Sequence, residues 1–205
     1  MDIPMNVDVL CETKECGKST TFVVNPVTER ITHIVVTENY YPYAKRLVPV
    51  ELIINSTPKS IQLRCTEDEL SEMPPFEEIE FISPRTSEEE LYEDAHYVIW
   101  PYSLLEDGRL EVSHENIPAN EVAIHRRASV HAKDGVVGNV DEFLVAPSDN
   151  KITHVVLREG HLWGKKDITI PVSEVDKITD DAIYLKMDKE AIKSLPAIPV
   201  HRKWL

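Results

Sequence analysis

The chain is short of several things at once. Its 205 residues include only three cysteines and six glycines. Three cysteines cannot supply the framework of a disulfide-rich secreted scaffold. No run of 18 apolar residues occurs, which excludes a hydrophobic membrane-spanning helix. Basic side chains are also scarce: 22 Lys and Arg stand against 36 Asp and Glu, a net charge of −14. General nucleic-acid binding needs a cationic surface for the phosphates, so this balance argues against it. The opening residues, Met1 to Asp8, have neither the basic region nor the apolar stretch of a signal peptide. A cytoplasmic protein is the expectation. What is present is ordinary, 42% hydrophobic and 28% charged, enough for a folded core in one large domain or two small ones.

An internal repeat organises the chain. Ile31-Thr32-His33-Ile34-Val35-Val36 recurs as Ile152-Thr153-His154-Val155-Val156-Leu157, 121 residues later. The same offset pairs Gly17 with Gly138, Phe22 with Phe143, Val24 with Val145 and Pro26 with Pro147. Further on the offset is 122, matching Pro49-Val50 to Pro171-Val172, Ile61 and Leu63 to Ile183 and Leu185, and Pro74 to Pro196. Two copies are therefore expected, at 5–76 and 123–198, joined by a connector at 77–122 and followed by a tail at 199–205.

Each copy reads as short strands followed by one short helix. Residues 31–37 and 152–158 are β-branched and apolar on both faces, the pattern of central strands. Asp134-Gly135 predicts a two-residue hairpin turn. Polar tips at 39–46 and 160–167 return the chain to further strands. Thr66-Glu67-Asp68-Glu69 is a capping box, Asp188 holds the equivalent cap, and Pro74 and Pro196 stop the two helices. So many strands in so few residues predict a mainly β fold, two small barrels closed to protect their edges. Because each copy holds a complete strand set, the two barrels are expected to be separate cores packed in a pseudo-twofold arrangement.

The connector carries most of the acidity. Residues 77–120 hold 12 acidic side chains against Arg85 and Arg109, whereas 123–205 is nearly neutral, with 13 basic and 12 acidic. Ser87-Glu88-Glu89-Glu90 suggests a helix start, and Tyr97 to Trp100 with Leu110 to Val112, around Asp107-Gly108, a hairpin. A solvated linker and a binding surface are both open readings.

Ala132 to Val140, Phe143-Leu144-Val145, the Ile152 to Leu157 strand and Ile170-Pro171-Val172 resemble the PRC-barrel family, named after the photosynthetic reaction centre H subunit. The first copy keeps the frame, with Thr13-Lys14 in place of Asp134-Gly135. The resemblance implies a non-catalytic barrel that docks onto a partner. Known family roles extend from reaction-centre assembly to ribosome maturation and archaeal division, so an RNA- or ribosome-associated factor and a photosynthetic-complex assembly protein stand as alternatives to a protein-binding scaffold.

Catalytic motifs are missing: there is no nucleophile elbow, phosphate loop, zinc-protease helix or dinucleotide fingerprint. No enzyme activity, metal or cofactor is implied. Gly135-Val136-Val137-Gly138 fits a hairpin better than a phosphate grip. His33 and His154 recur in both copies, but a metal site needs three or four converging ligands, so a hydrogen-bonded structural histidine is expected. Setting Thr13-Lys14 at the turn places Cys11 opposite Cys16, with Cα atoms about 4.5 Å apart and within disulfide reach. Two reduced thiols are the simpler state for a cytoplasmic protein. Cys65 aligns with Met187 as an apolar filler.

The candidate partner site is the pair of hairpin tips. The first presents Tyr40, Tyr41 and Tyr43, then Lys45 and Arg46. The second presents His161 and Trp163, then Lys165 and Lys166. Aromatic and basic groups are what binding hot spots favour; they suit the acidic surface of a protein partner or the chain's own connector, and packing of the aromatics onto the sister barrel or the connector is the competing reading. A homo-oligomer is a separate open reading.

Overall fold

The structure is a computed structural model and describes residues 2–12, 14–82, 103–104, 110–125, 128–159, 168–179 and 181–195. These residues belong to two compact units, one made of Met1–Pro74 with Ile117–Leu205, the other of Pro75–Asn116.

In the larger unit the two sequence repeats build the same sheet twice. The first contributes β2 (Asp8–Cys11), β3 (Lys14–Asn25), β4 (Arg30–Glu38), β5 (Lys45–Pro49), β6 (Ile53–Thr57) and β7 (Ser60–Leu63), hydrogen-bonded in the order β5-β4-β3-β2-β7-β6. The second contributes β12 (Ser129–Ala132), β13 (Gly135–Val145), β14 (Ile152–Glu159), β15 (Ile168–Pro171), β16 (Val175–Ile178) and β17 (Ala182–Leu185), in the order β15-β14-β13-β12-β17-β16. In both, a hairpin is followed by a parallel pairing, β2 with β7 and β12 with β17. Each path ends on two strands joined by a single 3₁₀ turn, Val50–Leu52 or Val172–Glu174. The fold is mainly β, as expected. No pairing between the two end strands is among those described, so the 3₁₀ turn takes the place of the hydrogen-bonded closure that the barrel expectation required.

Short helices follow, α1 (Glu67–Ser71) and α2 (Lys189–Lys193). Thr66 and Glu69 complete the capping box reciprocally, and Asp188 Oδ1 accepts the Ala191 N–H at 2.8 Å. Both caps satisfy amides that the first helical turn leaves without partners. Leu70 and Ile192, both buried, fasten the helices to the core.

The strand sets are not self-contained, which corrects the expectation of two independent cores. β1 (Asp2–Pro4) pairs with β13 of the second repeat, as Asp2↔Leu144, Ile3↔Phe143 and Pro4↔Glu142. β11 (Val122–His125), which leads into the second repeat, pairs instead with β3 of the first, as Ala123↔Val23, Ile124↔Phe22 and His125↔Thr21. These pairings are the same one with the roles exchanged, since every residue stands 121 positions from its counterpart. The relation continues to a bridge between Arg30 and Lys151. There Ile31 N–H donates to Asn150 O at 3.2 Å and Ile152 N–H to Glu29 O at 2.7 Å. One apolar cluster runs through both repeats, with Ile3, Ile124, Phe22 and Phe143 all fully buried within it.

The hairpin turns lie one residue earlier than predicted. Ala132 pairs with Gly135, which puts Lys133-Asp134 in the turn, and Cys11 pairs with Lys14. A β-bulge follows in each hairpin, where the register passes from Leu10↔Glu15 to Val9↔Gly17 and from His131↔Val136 to Val130↔Gly138. The bulges leave Cys16 and Val137 as the extra residues.

The smaller unit is a three-stranded antiparallel sheet of β8 (Glu77–Ile82), β10 (Leu110–Glu115) and β9 (Ser103–Leu104), with β10 in the middle. Its closed end is tied by Asn116, whose N–H donates to Phe76 O at 2.7 Å and whose Nδ2 donates to Pro75 O at 3.1 Å. The sequence predicts a hairpin of Tyr97 to Trp100 with Leu110 to Val112; the Leu110 strand does pair antiparallel with a strand just before it, Ser103–Leu104, and on its other side with Glu77–Ile82. The suggested helix start at 87–90, the strand at 97–100 and Asp107-Gly108 lie outside the described residues.

Candidate binding site

The tip between β4 and β5 is built from its root upward. Glu38 N–H donates to Ala44 O at 2.9 Å and Asn39 N–H to Cys16 O at 3.2 Å, anchoring both the tip and the neighbouring hairpin. Above this, Tyr43 N–H donates to Tyr40 O at 2.6 Å, with Tyr43 in the left-handed region at φ 59° and a cis peptide between Tyr41 and Pro42. Such a tight reversal leaves no depth in which large rings can be buried. Tyr40, Tyr41 and Tyr43 are accordingly 52%, 88% and 60% exposed.

The rings organise one another. Tyr41 and Tyr43 meet edge to face with centroids 6.4 Å apart. Lys14 Nζ stands 5.0 Å from the Tyr40 ring centroid and pairs with Glu67 at 2.7 Å. The Glu67 carboxylate and the Tyr40 hydroxyl, in that order, hold the Lys14 ammonium above its ordinary pKa. Beside it, Asn39 Nδ2 donates to Glu15 Oε1 at 3.0 Å. The surface is thus three tyrosines with one solvent-facing cation and two carboxylates at their edge.

The basic pair predicted beside the tyrosines divides. Arg46 is turned inward: its Nε donates to Glu38 Oε1 at 2.8 Å and its NH1 to Met73 O at 3.2 Å, so it ties the tip root to the end of α1. It does not belong to an outward positive spot, and this corrects the sequence reading. Lys45 is half-buried in β5, opposite Thr37. Lys14, which the sequence reading missed, supplies the cation instead. It lies far from the tip in sequence, and the β3–β4 pairing, which sets Gly17 opposite Glu38, brings it there. His161, Trp163, Lys165 and Lys166 lie outside the described residues.

Other singled-out residues fall elsewhere. His33 Nδ1 lies 3.0 Å from Thr32 Oγ1 and 3.6 Å from Glu121 Oε2, and the Thr32 hydroxyl donates to the same carboxylate oxygen at 2.6 Å. His154 Nδ1 lies 3.1 Å from Thr153 Oγ1, and burial lowers its pKa. Among the described residues no group of three or more His, Cys, Asp or Glu is arranged to hold a metal ion, and no helix is long and apolar enough to cross a membrane. Cys11 and Cys16 are joined as a disulfide with Cα atoms 5.7 Å apart, a bond from the strand end to the bulge rather than between directly opposed residues.

No curated protein matches the chain. A family model does: the PRC-barrel domain covers residues 130–192, from β12 into α2. The sheet described above for the second repeat is that segment, and the chain accordingly contains a PRC-barrel domain at residues 130–192.

Proposed function

We propose that this protein is a non-catalytic protein-binding or scaffold module, in which the first repeat is a second PRC-like unit and the tyrosine tip at 40–43 is the docking point. The observation that carries this reading is the exposure of three tyrosines on one tip. Tyrosine combines a large rigid apolar body with a polar end, and few-residue clusters of such rings dominate binding energy at protein interfaces. With Lys14 already paired to Glu67 and the Glu15 carboxylate alongside, the rings rather than net charge carry the docking.

The test is replacement of Tyr40, Tyr41 and Tyr43 together by alanine in the full chain. A docking tip requires that a protein retained by the wild type from lysate, and identified by mass spectrometry, be lost by the variant while the melting temperature stays within about 2 °C, the range of neutral surface changes. Unchanged retention, or a large drop in melting temperature, defeats the reading. Recovery of RNA rather than protein, abolished by nuclease, points to the ribosome-associated alternative.

A further inference from the structure

All three cysteines of the chain converge in one buried place, although two belong to a hairpin and the third is far along the sequence. Cys11 ends β2, and the parallel ladder sets it beside Leu63 at the end of β7. Two residues on, Cys65 fills the gap between β7 and the Thr66 cap of α1. Cys65 is a free thiol, and its Sγ lies 4.0 Å from Cys11 Sγ, itself bonded to Cys16. All three residues are buried. An apolar filler would need only volume at position 65. A thiol there places a nucleophile in contact with one particular sulfur of a disulfide.

We propose that Cys11, Cys16 and Cys65 form an intramolecular thiol–disulfide exchange site, in which Cys65 attacks Cys11 and moves the bond from the hairpin to the β2–β7 junction. The Cys65 thiol gives up its proton and its sulfur bonds to Cys11 Sγ. The Cys11–Cys16 bond breaks, its electron pair leaves on Cys16 Sγ, and Cys16 takes up a proton. One disulfide and one thiol enter and one of each leaves, so no oxidant or reductant is consumed. Cys11 is the sulfur attacked because it is the one in contact with Cys65.

The exchange alters what the bond ties together. The present disulfide spans five positions within one hairpin, whereas a Cys11–Cys65 bond spans 54 and links the end of β2 to the segment between β7 and α1. A longer loop constrains the unfolded chain more. The groups around Cys65 also hold the reaction back near neutrality. Burial, then the Glu69 and Glu12 carboxylates, raise its pKa, and only the thiolate attacks.

The full-length oxidised protein is incubated in buffers from neutral to alkaline pH, quenched in acid, alkylated under acidic denaturing conditions and digested with pepsin for disulfide mapping. The label is expected on Cys65 at the start. On incubation, label on Cys16 and a Cys11–Cys65 linked peptide should grow together, about tenfold faster per pH unit while the thiol remains mostly protonated, and independently of protein concentration. Cys65→Ser should abolish the label on Cys16. Label confined to Cys65 at every pH, over times in which the denatured protein shuffles freely, overturns the proposal, as does a rate that scales with protein concentration. As a second measurement, Cys16→Ser treated with glutathione disulfide should acquire an intramolecular Cys11–Cys65 bond. Two free thiols, or glutathione adducts alone, in folded protein would count against it.

Discussion

Phe22 and Phe143 meet edge to face, their ring centroids 5.3 Å apart and their planes at 77°. Each is fully buried, and each is the other's counterpart in the repeat. Phe22 lies on β3 beside Ile124, and Phe143 on β13 beside Ile3, so this contact sits where the two exchanged strands meet the shared core. Truncating either ring to alanine should cost about 3–5 kcal/mol of stability. In a double-mutant cycle by urea unfolding, the double variant should lose about 0.5–1.5 kcal/mol less than the sum of the two single losses, because each single change already removes the ring–ring contact. Additive losses would mean the rings are merely near each other.

The strand exchange makes a crossed prediction. Ile3→Ala should weaken the second repeat and Ile124→Ala the first, each by about 2–5 kcal/mol. Hydrogen exchange locates the damage. The Ile3 variant should first lose protection at Glu142, Phe143 and Leu144 of β13, and the Ile124 variant at Thr21, Phe22 and Val23 of β3. Loss confined to the mutated residue's own repeat contradicts the pairing.

Gly17 has a steric reason to be glycine. It occupies the position just past the β3 bulge, where a Cβ would run into the Thr37 carbonyl and the Val36 side chain on β4. Backbone cannot move aside as a flexible side chain does. Gly17→Ala should therefore destabilise by about 1–3 kcal/mol, the cost of overpacking, read as a lower denaturant midpoint with an unchanged slope.

Acid should weaken the fold in part through His154. Burial lowers its pKa from the ordinary 6.5, so the folded chain binds this proton less readily than the unfolded chain does. That contribution is fully present above pH 6.5 and is lost as the pH falls through the lowered folded value. The melting temperature should decline on acidification, and His154→Gln should remove part of the decline while leaving the neutral-pH side unchanged. A parallel pH profile would show that His154 is not involved.

What the sequence disclosed was local. The central strands are β-branched over a continuous run, and the caps at Thr66 and Asp188 depend on residues three apart, so both were legible. The turns were misplaced by one residue because Gly135, at φ 127°, begins β13 rather than occupying the turn. In the first hairpin it is Glu12, at φ 51°, that takes the left-handed conformation. The exchange of β1 and β11 was not legible, since nothing within either short strand states which repeat it will join. A signal existed in the alignment of Asp2-Ile3-Pro4 with Ala123-Ile124-His125, which places the start of the first repeat three residues earlier, in step with the second. Arg46 was misread for a related reason. Its inward partners, Glu38 and Met73, come from different elements.

Because β1 pairs with Glu142 to Leu144, and β3 waits for Val122 to His125, the order of synthesis bears on assembly. A growing chain carries β1 for most of its length before β13 exists to receive it. The first repeat, though fully translated, still lacks a strand until the connector has been passed. The first sheet waits for Val122 to His125, and the second for its own strands as far as Leu185, so the first repeat stays incomplete well after its own residues have been made. A ribosome stalled between the repeats would hold a first sheet with an open place along β3, accessible to chaperones and proteases in a way the finished molecule is not.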